Sequence, residues 1–272
     1  MIARKIEKHK MILKRRIHQK NELRDISSCN NETLTKIINA FQSVRENKHQ
    51  PEDILAFSRS EKYRESLLKD ETEVTYEVFS SDRIAKVKNI CKIAASRQKW
   101  CQFLYKITQQ ITTPKVLEIG TNLGVSGTYI LEAIKDKGGR FITMEGLPKL
   151  CEISGTAFSR INSHFEIVEG LYETTFPVVL EKNIDFNVLF IDGNHRKEPT
   201  LHYFQELKRK VSSPAIFIFD DIYWSNEMKE AWTILKNDKD ANFSIDLYEQ
   251  GIIIIDKNER IKGKHFSLHL SY

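Results

Sequence analysis

Apolar residues recur at helical spacing through the first third of the chain and in short bursts after it. Ile2, Ile6, Leu13 and Ile17 predict an amphipathic helix over about residues 2–20. Leu34, Ile37, Ile38, Phe41 and Val44 share one face of a second helix starting near Asn31, and residues 47–51 break it. A shorter helical piece is expected around 60–68, and a strand or extended arm over 74–79. Residues 82–111 read as helical, with Ile84, Val87, Ile90, Ile93 and Ala94 on one side and Trp100, Phe103, Leu104 and Ile107 continuing it.

After Thr113 the texture changes. Residues 115–119, 141–145, 165–169, 186–191 and 215–219 are short apolar runs, separated by helical patterns near 126–137, 148–161 and 200–210. That alternation predicts an α/β fold, a parallel sheet covered by helices on both faces. Residues 243–248 and 251–256, joined by a tight turn at Glu249 and Gln250, predict an antiparallel closing pair. The expected organisation is a helical N-terminal region, 1–81, followed by an α/β domain, 82–272.

Composition narrows the class without changing the fold. Hydrophobic residues are 40% and charged residues 29% of the 272, an ordinary globular balance. No apolar run approaches the roughly 20 residues of a membrane helix, and no signal-peptide core follows the basic start, so a soluble cytoplasmic protein is expected. Cys29, Cys91, Cys101 and Cys151 form no CxxC pair and no zinc spacing, and read as reduced thiols. Residues 1–20 hold eight Lys or Arg against Glu7 alone, a net +7, so the rest of the chain carries −2 of the +5 total. The body therefore gives no strong nucleic-acid signal. The basic helix reads as a packing helix with a solvated basic face, since its apolar stripe is thin and holds no Trp or Phe; the other reading is a surface arm, separate from the sheet, whose cations suit weak contact with an anionic membrane or RNA.

The first strand of the alternating region ends in Glu118, Ile119 and Gly120 and runs on through Thr121, Asn122, Leu123, Gly124, Val125, Ser126 and Gly127. Glycines at a strand-to-helix crossing let the backbone turn tightly and approach a ligand. The loop lacks both Gly-Lys-Ser/Thr and GxGxxG spacing, so neither phosphate motif is present. Glu118 would repel a pyrophosphate but attract an ammonium. Glu145, ending the second strand, is placed to accept both hydroxyls of a ribose. Together these acids suit an adenosine ligand carrying a cationic amino acid.

These segments resemble class I methyltransferases that use S-adenosylmethionine. The resemblance rests on VLEIGTNLGVSG at 116–127, FITMEG at 141–146, FEIVEG at 165–170, DFNVLFIDGNHRKEPTLHYF at 185–204 and IFIFDDIYWSNEMKEAW at 216–232. It covers about residues 82–256 and leans towards metal-dependent O-methyltransferases of the catechol and macrolide-sugar types. It implies a Rossmann-like seven-stranded sheet with the last strand antiparallel, and cofactor contacts at Glu118, Gly120, Thr121, Asn122, Gly124, Ser126, Glu145, Gly170 and Asp192. Family members often carry an acid after the glycine that ends the third strand; here Gly170 is followed by Leu171 and Tyr172, so adenine is left to backbone and apolar contacts.

Asp192 ends the fourth strand, and Asp220 and Asp221 end the fifth. Three carboxylates converging there would repel one another unless protonated or met by a cation, and oxygen ligands favour Mg²⁺. His195, three residues after Asp192, suits a general base for a hydroxyl proton, with Asn194 unable to take one. The expected reaction is methylation of a small-molecule hydroxyl, phenolic or sugar, assisted by Mg²⁺, with Asp192 and His195 as its catalytic pair. Arg196, His202, Tyr223, Trp224 and Tyr248 are candidates for the acceptor pocket. The N-terminal helices suit either a roof over the site or a homodimer contact. The competing readings are N- or RNA methylation without metal, against which no Asn-Pro-Pro-Tyr-like tetrapeptide occurs, and a non-catalytic cofactor-binding scaffold.

Overall fold

The computed structural model describes residues 2–271, with side chains from Lys8 onward. The proposed face positions Ile2 and Ile6, and the charges of Arg4, Lys5 and Glu7, lie outside the described side chains. Three helices open the chain: α1 (Ile2–Ser27), α2 (Glu32–Arg45) and α3 (Pro51–Leu67). Pro51 that breaks the second helix also starts the third, since its fixed φ and missing N–H suit a first helical turn. A hairpin, β1 (Glu73–Tyr76) and β2 (Ser81–Lys86), precedes α4 (Val87–Ala94) and α5 (Gln98–Gln109). The stretch expected to be helical from 82 thus begins as a strand, and Ile84 and Ile93, assigned to its buried side, are exposed.

Beyond it run β3 (Lys115–Ile119), α6 (Val125–Ile134), β4 (Arg140–Glu145), α7 (Pro148–Ser159), β5 (Phe165–Glu169), α8 (Tyr172–Glu181) and β6 (Val188–Ile191). They are followed by α9 (Lys197–Leu207), β7 (Ala215–Phe219), α10 (Asn226–Lys236), β8 (Phe243–Asp246), β9 (Gly251–Ile255) and β10 (Lys264–Ser267). The main sheet has the order β10-β8-β9-β7-β6-β3-β4-β5. β9 runs antiparallel to both β7 and β8, as the hairpin pattern predicts, and β10 adds an eighth strand parallel to β8. The mainly parallel, Rossmann-like α/β sheet is therefore present with one strand more than the resemblance implies.

The chain divides into two compact units, Met1–Arg45 with Leu189–Tyr272, and Glu46–Val188. In the second, α3, α4 and α5 surround α6 through a core that includes Phe57, Leu67, Val87, Ile90, Tyr105 and Tyr129. Phe57 meets Tyr105 edge-on at 5.0 Å, and Tyr63 donates its hydroxyl proton to the Leu123 carbonyl at 2.6 Å, tying α3 to the loop after β3.

In the first unit, α1 does not bury the face its apolar residues mark. Leu13 is 60% and Ile17 67% exposed, whereas Ile12, Arg15, Gln19 and Ile26 are buried. The reason is electrostatic. Arg15 reaches the Asp246 carboxylate at 2.6 Å and donates to the carbonyls of Asp246 at 2.9 Å and Leu268 at 3.3 Å. Asp246 in turn accepts from Tyr223 at 2.8 Å, Trp232 at 3.1 Å and the Tyr248 N–H at 2.9 Å. A buried guanidinium that meets the Asp246 carboxylate and two carbonyls outweighs two exposed aliphatic side chains in setting the rotation of the helix. The helix is thus a packed element of its unit with most of its described cations in solvent, the packing-helix reading of its pattern, although the packed face is not the one its apolar residues mark. Among the described residues no helix is long and apolar enough to cross a membrane.

Candidate active site

In the second unit, β3 and β4 pair in parallel and carry the glycine loop and its acids at their carboxyl ends, the edge where open α/β sheets bind ligands. Gly120 adopts φ 111° and Gly124 φ 73°, conformations L side chains rarely take. A Cβ at Gly124 would also lie 2.8 Å from Phe158. Asn122, between them, is left-handed at φ 50°, and its backbone N–H donates to Glu145 Oε2 at 2.8 Å. The other carboxylate oxygen of Glu145 accepts the Leu147 N–H at 2.9 Å. Glu145 is buried, which raises its pKa against the opposing pull of these backbone donors. The Gly146 N–H donates to the same carboxylate, and two oxygens with about four lone-pair sites still keep capacity to accept a further hydrogen bond. Gly170, at φ 134°, donates its N–H to the Glu145 carbonyl at 2.8 Å and so joins the end of β5 to the same acid.

Glu118 is fully buried and both its oxygens are engaged, by the Ser126 hydroxyl at 2.5 Å and the Thr143 hydroxyl at 2.7 Å. Thr121 and Thr143 hydroxyls lie 2.6 Å apart. Glu118, Thr121 and Ser126 thus form an internal network beneath the loop. Thr143 completes it, and only its place on β4 beside Glu118 reveals this. Phe79, at the tip between β1 and β2, is half-exposed and packs beside Gly146, where a Cβ would lie 2.9 Å from its ring. That aromatic next to Glu145 comes from a segment with no sequence link to the loop.

Burial pushes the Glu118 carboxyl from its ordinary value near 4.5 to about 7. An acid whose folded pKa is raised binds its proton more tightly when folded, so its contribution favours the folded state below about 4.5. That contribution is lost as pH rises to about 7. The loss is about 3 kcal/mol at 1.36 kcal/mol per pH unit. Glu118→Gln removes this dependence. Its stability relative to wild type in urea is expected to rise between pH 5 and pH 8, and parallel profiles would contradict the assignment.

The first unit carries the other acids at the ends of β6 and β7. Asp220 donates its N–H to the Ile191 carbonyl at 3.0 Å, and its carboxyl is hydrogen-bonded to Asp192. Gln250 donates to Asp220 Oδ1 at 2.9 Å. Burial first and the Asp221 charge second push the Asp220 carboxyl up to about 7. Asp221 leaves the strand with φ 53°. Among the described residues no group of three or more His, Cys, Asp or Glu side chains forms a metal-binding cluster. Asp192 and Asp220 are hydrogen-bonded carboxyls, and the Asp221 charge acts on Asp220. His195 Nε2 lies 3.7 Å from Asp192 Oδ1. Burial lowers the His195 pKa, with the Asp221 charge pulling the other way, so its imidazole is neutral at neutral pH.

Of the candidate acceptor residues, Tyr223 and Tyr248 stack at 4.9 Å with their rings parallel to within 3°. The Arg15 guanidinium lies 6.0 and 5.8 Å from these two rings. Trp224 is 63% exposed. Arg196 bonds Asn194 on the same loop, and His202 is exposed on α9. Sequence reasoning missed Gln250, Asp246 and Arg15, which meet these residues through contacts between distant segments. The four cysteines are free and buried, and burial raises the pKa of Cys91 and pushes that of Cys151 up to about 12, which keeps both thiols protonated.

A family model described as a methyltransferase domain matches residues 117–222, a span holding both sets of acids. No curated protein matches the chain in sequence. Among solved structures, the O-methyltransferase of Bacillus cereus in complex with SAH is 18% identical, covering 71% of this chain and 91% of its own, with a TM-score of 0.54. The SAH-bound methyltransferase PaMTH1 of Podospora anserina is 15% identical over 84% of this chain and 97% of its own, with a TM-score of 0.56. TomG of Streptomyces achromogenes, an O-methyltransferase involved in tomaymycin synthesis and solved with SAM, is 17% identical over 60% of this chain and 82% of its own, with a TM-score of 0.51.

Proposed function

For a chain that carries a methyltransferase domain of the class I fold, we propose transfer of a methyl group from S-adenosylmethionine to a hydroxyl of a small molecule. The observation that carries this reading is Glu145, held by the N–H groups of Asn122 and Leu147 with acceptor capacity to spare, beside a loop opened by Gly120 and Gly124. In this reading Glu145 takes the ribose hydroxyls, backbone groups from Gly120 to Gly124 and at Gly170 line the cofactor, and Phe79 shields it. Glu118, Thr121 and Ser126 hold the loop from below, and the cationic end of the ligand favours the ionised form of Glu118.

S-adenosylmethionine, when bound, supplies a methyl group already activated as a sulfonium, so the protein's task is alignment and removal of a proton. His195 is neutral and takes the proton of the acceptor hydroxyl, and Asp192 close by stabilises the imidazolium that forms. The stacked Tyr223 and Tyr248 give an aromatic or sugar acceptor a flat wall.

The Asp192–Asp220 pair fits a hard divalent ion. The donors are all oxygen, and Mg²⁺ commonly uses one or two carboxylates while keeping its waters. A divalent ion there would lower the pKa of a bound hydroxyl. Asp221 is left to bias the pair by its charge.

Calorimetry with S-adenosylmethionine tests the cofactor site. Glu145→Ala is expected to weaken binding by roughly 1–3 kcal/mol, the scale of a lost charge-assisted acceptor. Wild-type affinity in that variant would remove the assignment. Transfer of labelled methyl to a panel of phenols and sugars, before and after dialysis against EDTA, tests the reaction. Label on nitrogen rather than oxygen acceptors would overturn the hydroxyl reading, and full activity after EDTA would remove the metal.

A further inference from the structure

A cavity of about 330 Å³ in the first unit is lined by Arg16 and Gln19 of α1, Arg45 at the end of α2, and His269 and Leu270 near the C-terminus. It belongs to none of the groups used above, and its polar lining has one chemical character. Neither Arg16 nor Arg45 has a carboxylate partner among the described residues, whereas Arg15, one position away, is neutralised by Asp246. Arg16 reaches His269 Nε2 at 3.2 Å. A guanidinium only donates, so Nε2 is the acceptor and the proton of the neutral ring sits on Nδ1. Nδ1 is buried and has no hydrogen-bond partner. The ring is kept neutral by burial and by Arg16, Arg15, Lys8 and Arg45, which together push its pKa down to about 4. Gln19 spends its oxygen on the His269 N–H at 2.8 Å, leaving the amide Nε2 as its remaining group.

Two exposed guanidinium groups and one amide N–H₂ thus line the open pocket, all donors, while the His269 Nδ1–H lies buried and out of contact with solvent. We propose that it binds a small organic oxyanion, a phosphate ester or carboxylate, gripped by Arg16 and Arg45. The guanidinium fork matches both anions. The volume lies at the lower end of the range for small-molecule pockets and leaves room beside the charged group for an organic body against Leu270. Binding would supply the acceptor that this donor-only set lacks. The site is separate from the methyl-transfer residues, so it stands or falls independently of the reaction proposed above.

The test uses the full chain, with inorganic phosphate, phenyl phosphate and succinate titrated at constant ionic strength against sodium chloride. Melting temperature and calorimetry are the readouts. Saturable stabilisation by phosphate or succinate beyond the chloride control is expected, with tighter binding of phenyl phosphate than of inorganic phosphate. Preference between phosphate and succinate identifies which oxyanion the site takes. Arg16→Gln and Arg45→Gln should each weaken that binding at least ten-fold, and His269→Phe should weaken it without altering the response to S-adenosylmethionine. No saturable effect above chloride, or undiminished binding in both arginine variants, overturns the proposal. So does sedimentation with phosphatidylserine vesicles that both variants abolish while none of the small anions binds, which would make the patch a membrane contact.

Discussion

His195→Ala is expected to lose turnover by ~10²–10⁴-fold, the usual contribution of a positioned general base, while keeping its affinity for S-adenosylmethionine. The expectation follows from the neutral, partly buried imidazole 3.7 Å from Asp192, in a loop where Asn194 offers no alternative base. Two features of the rate separate a base from a merely structural histidine. The wild-type rate should hold through neutrality and fall only below the ordinary histidine range, because burial lowers the pKa. In the variant the residual rate should climb with pH, as the acceptor ionises unaided. Normal turnover in the variant at neutral pH, or a loss with no pH-dependent recovery, would take the base role from His195.

Arg15→Met is expected to destabilise the chain by about 3–5 kcal/mol, the range for removing one partner of a buried ion pair. The variant leaves the buried Asp246 without its cation, although Tyr223, Trp232 and the Tyr248 N–H still donate to it. Urea denaturation measures the loss. Arg15→Lys should recover only part of it, since an ammonium cannot reproduce the forked contacts to the Asp246 carboxylate and two carbonyls. The double variant Arg15→Met, Asp246→Asn should be more stable than Arg15→Met alone, because the unpaired charge is gone. If the double variant is no better, the cost lies in packing and not in the ion pair. The same contacts imply that deleting residues 1–20 unfolds part of the first unit rather than trimming a separate arm.

The parallel sheet was legible because its strands are short apolar runs at regular spacing, a local signal that survives without knowledge of partners. The loop after β3 was legible for a similar reason. Glycines at a strand end, with an acid before them and another ending the next strand, form a pattern carried by a few neighbouring residues. Face assignment within α1 was not legible. Leu13 and Ile17 look like a buried stripe, but the helix turns by its contacts to Asp246 and Leu268, more than 200 residues away. The strand reading of 74–79 found β1, but β2 escaped, because Ile84 lies three residues before Val87, a helical spacing, although the strand ends and α4 begins between them.

The chemistry divides along the same line. Which residue types stand at the strand ends was determined by the sequence alone, and with them the acids from which the proposed cofactor and cation sites are built. How those groups share their hydrogen bonds was decided by the tertiary structure. Glu118 spends both oxygens on Ser126 and Thr143, Glu145 keeps capacity in reserve, and Asp192 pairs with Asp220 under the charge of Asp221. The physical reason is that charge and hydrogen-bonding capacity belong to a residue, whereas their satisfaction depends on burial and on partners that only folding brings within 3 Å.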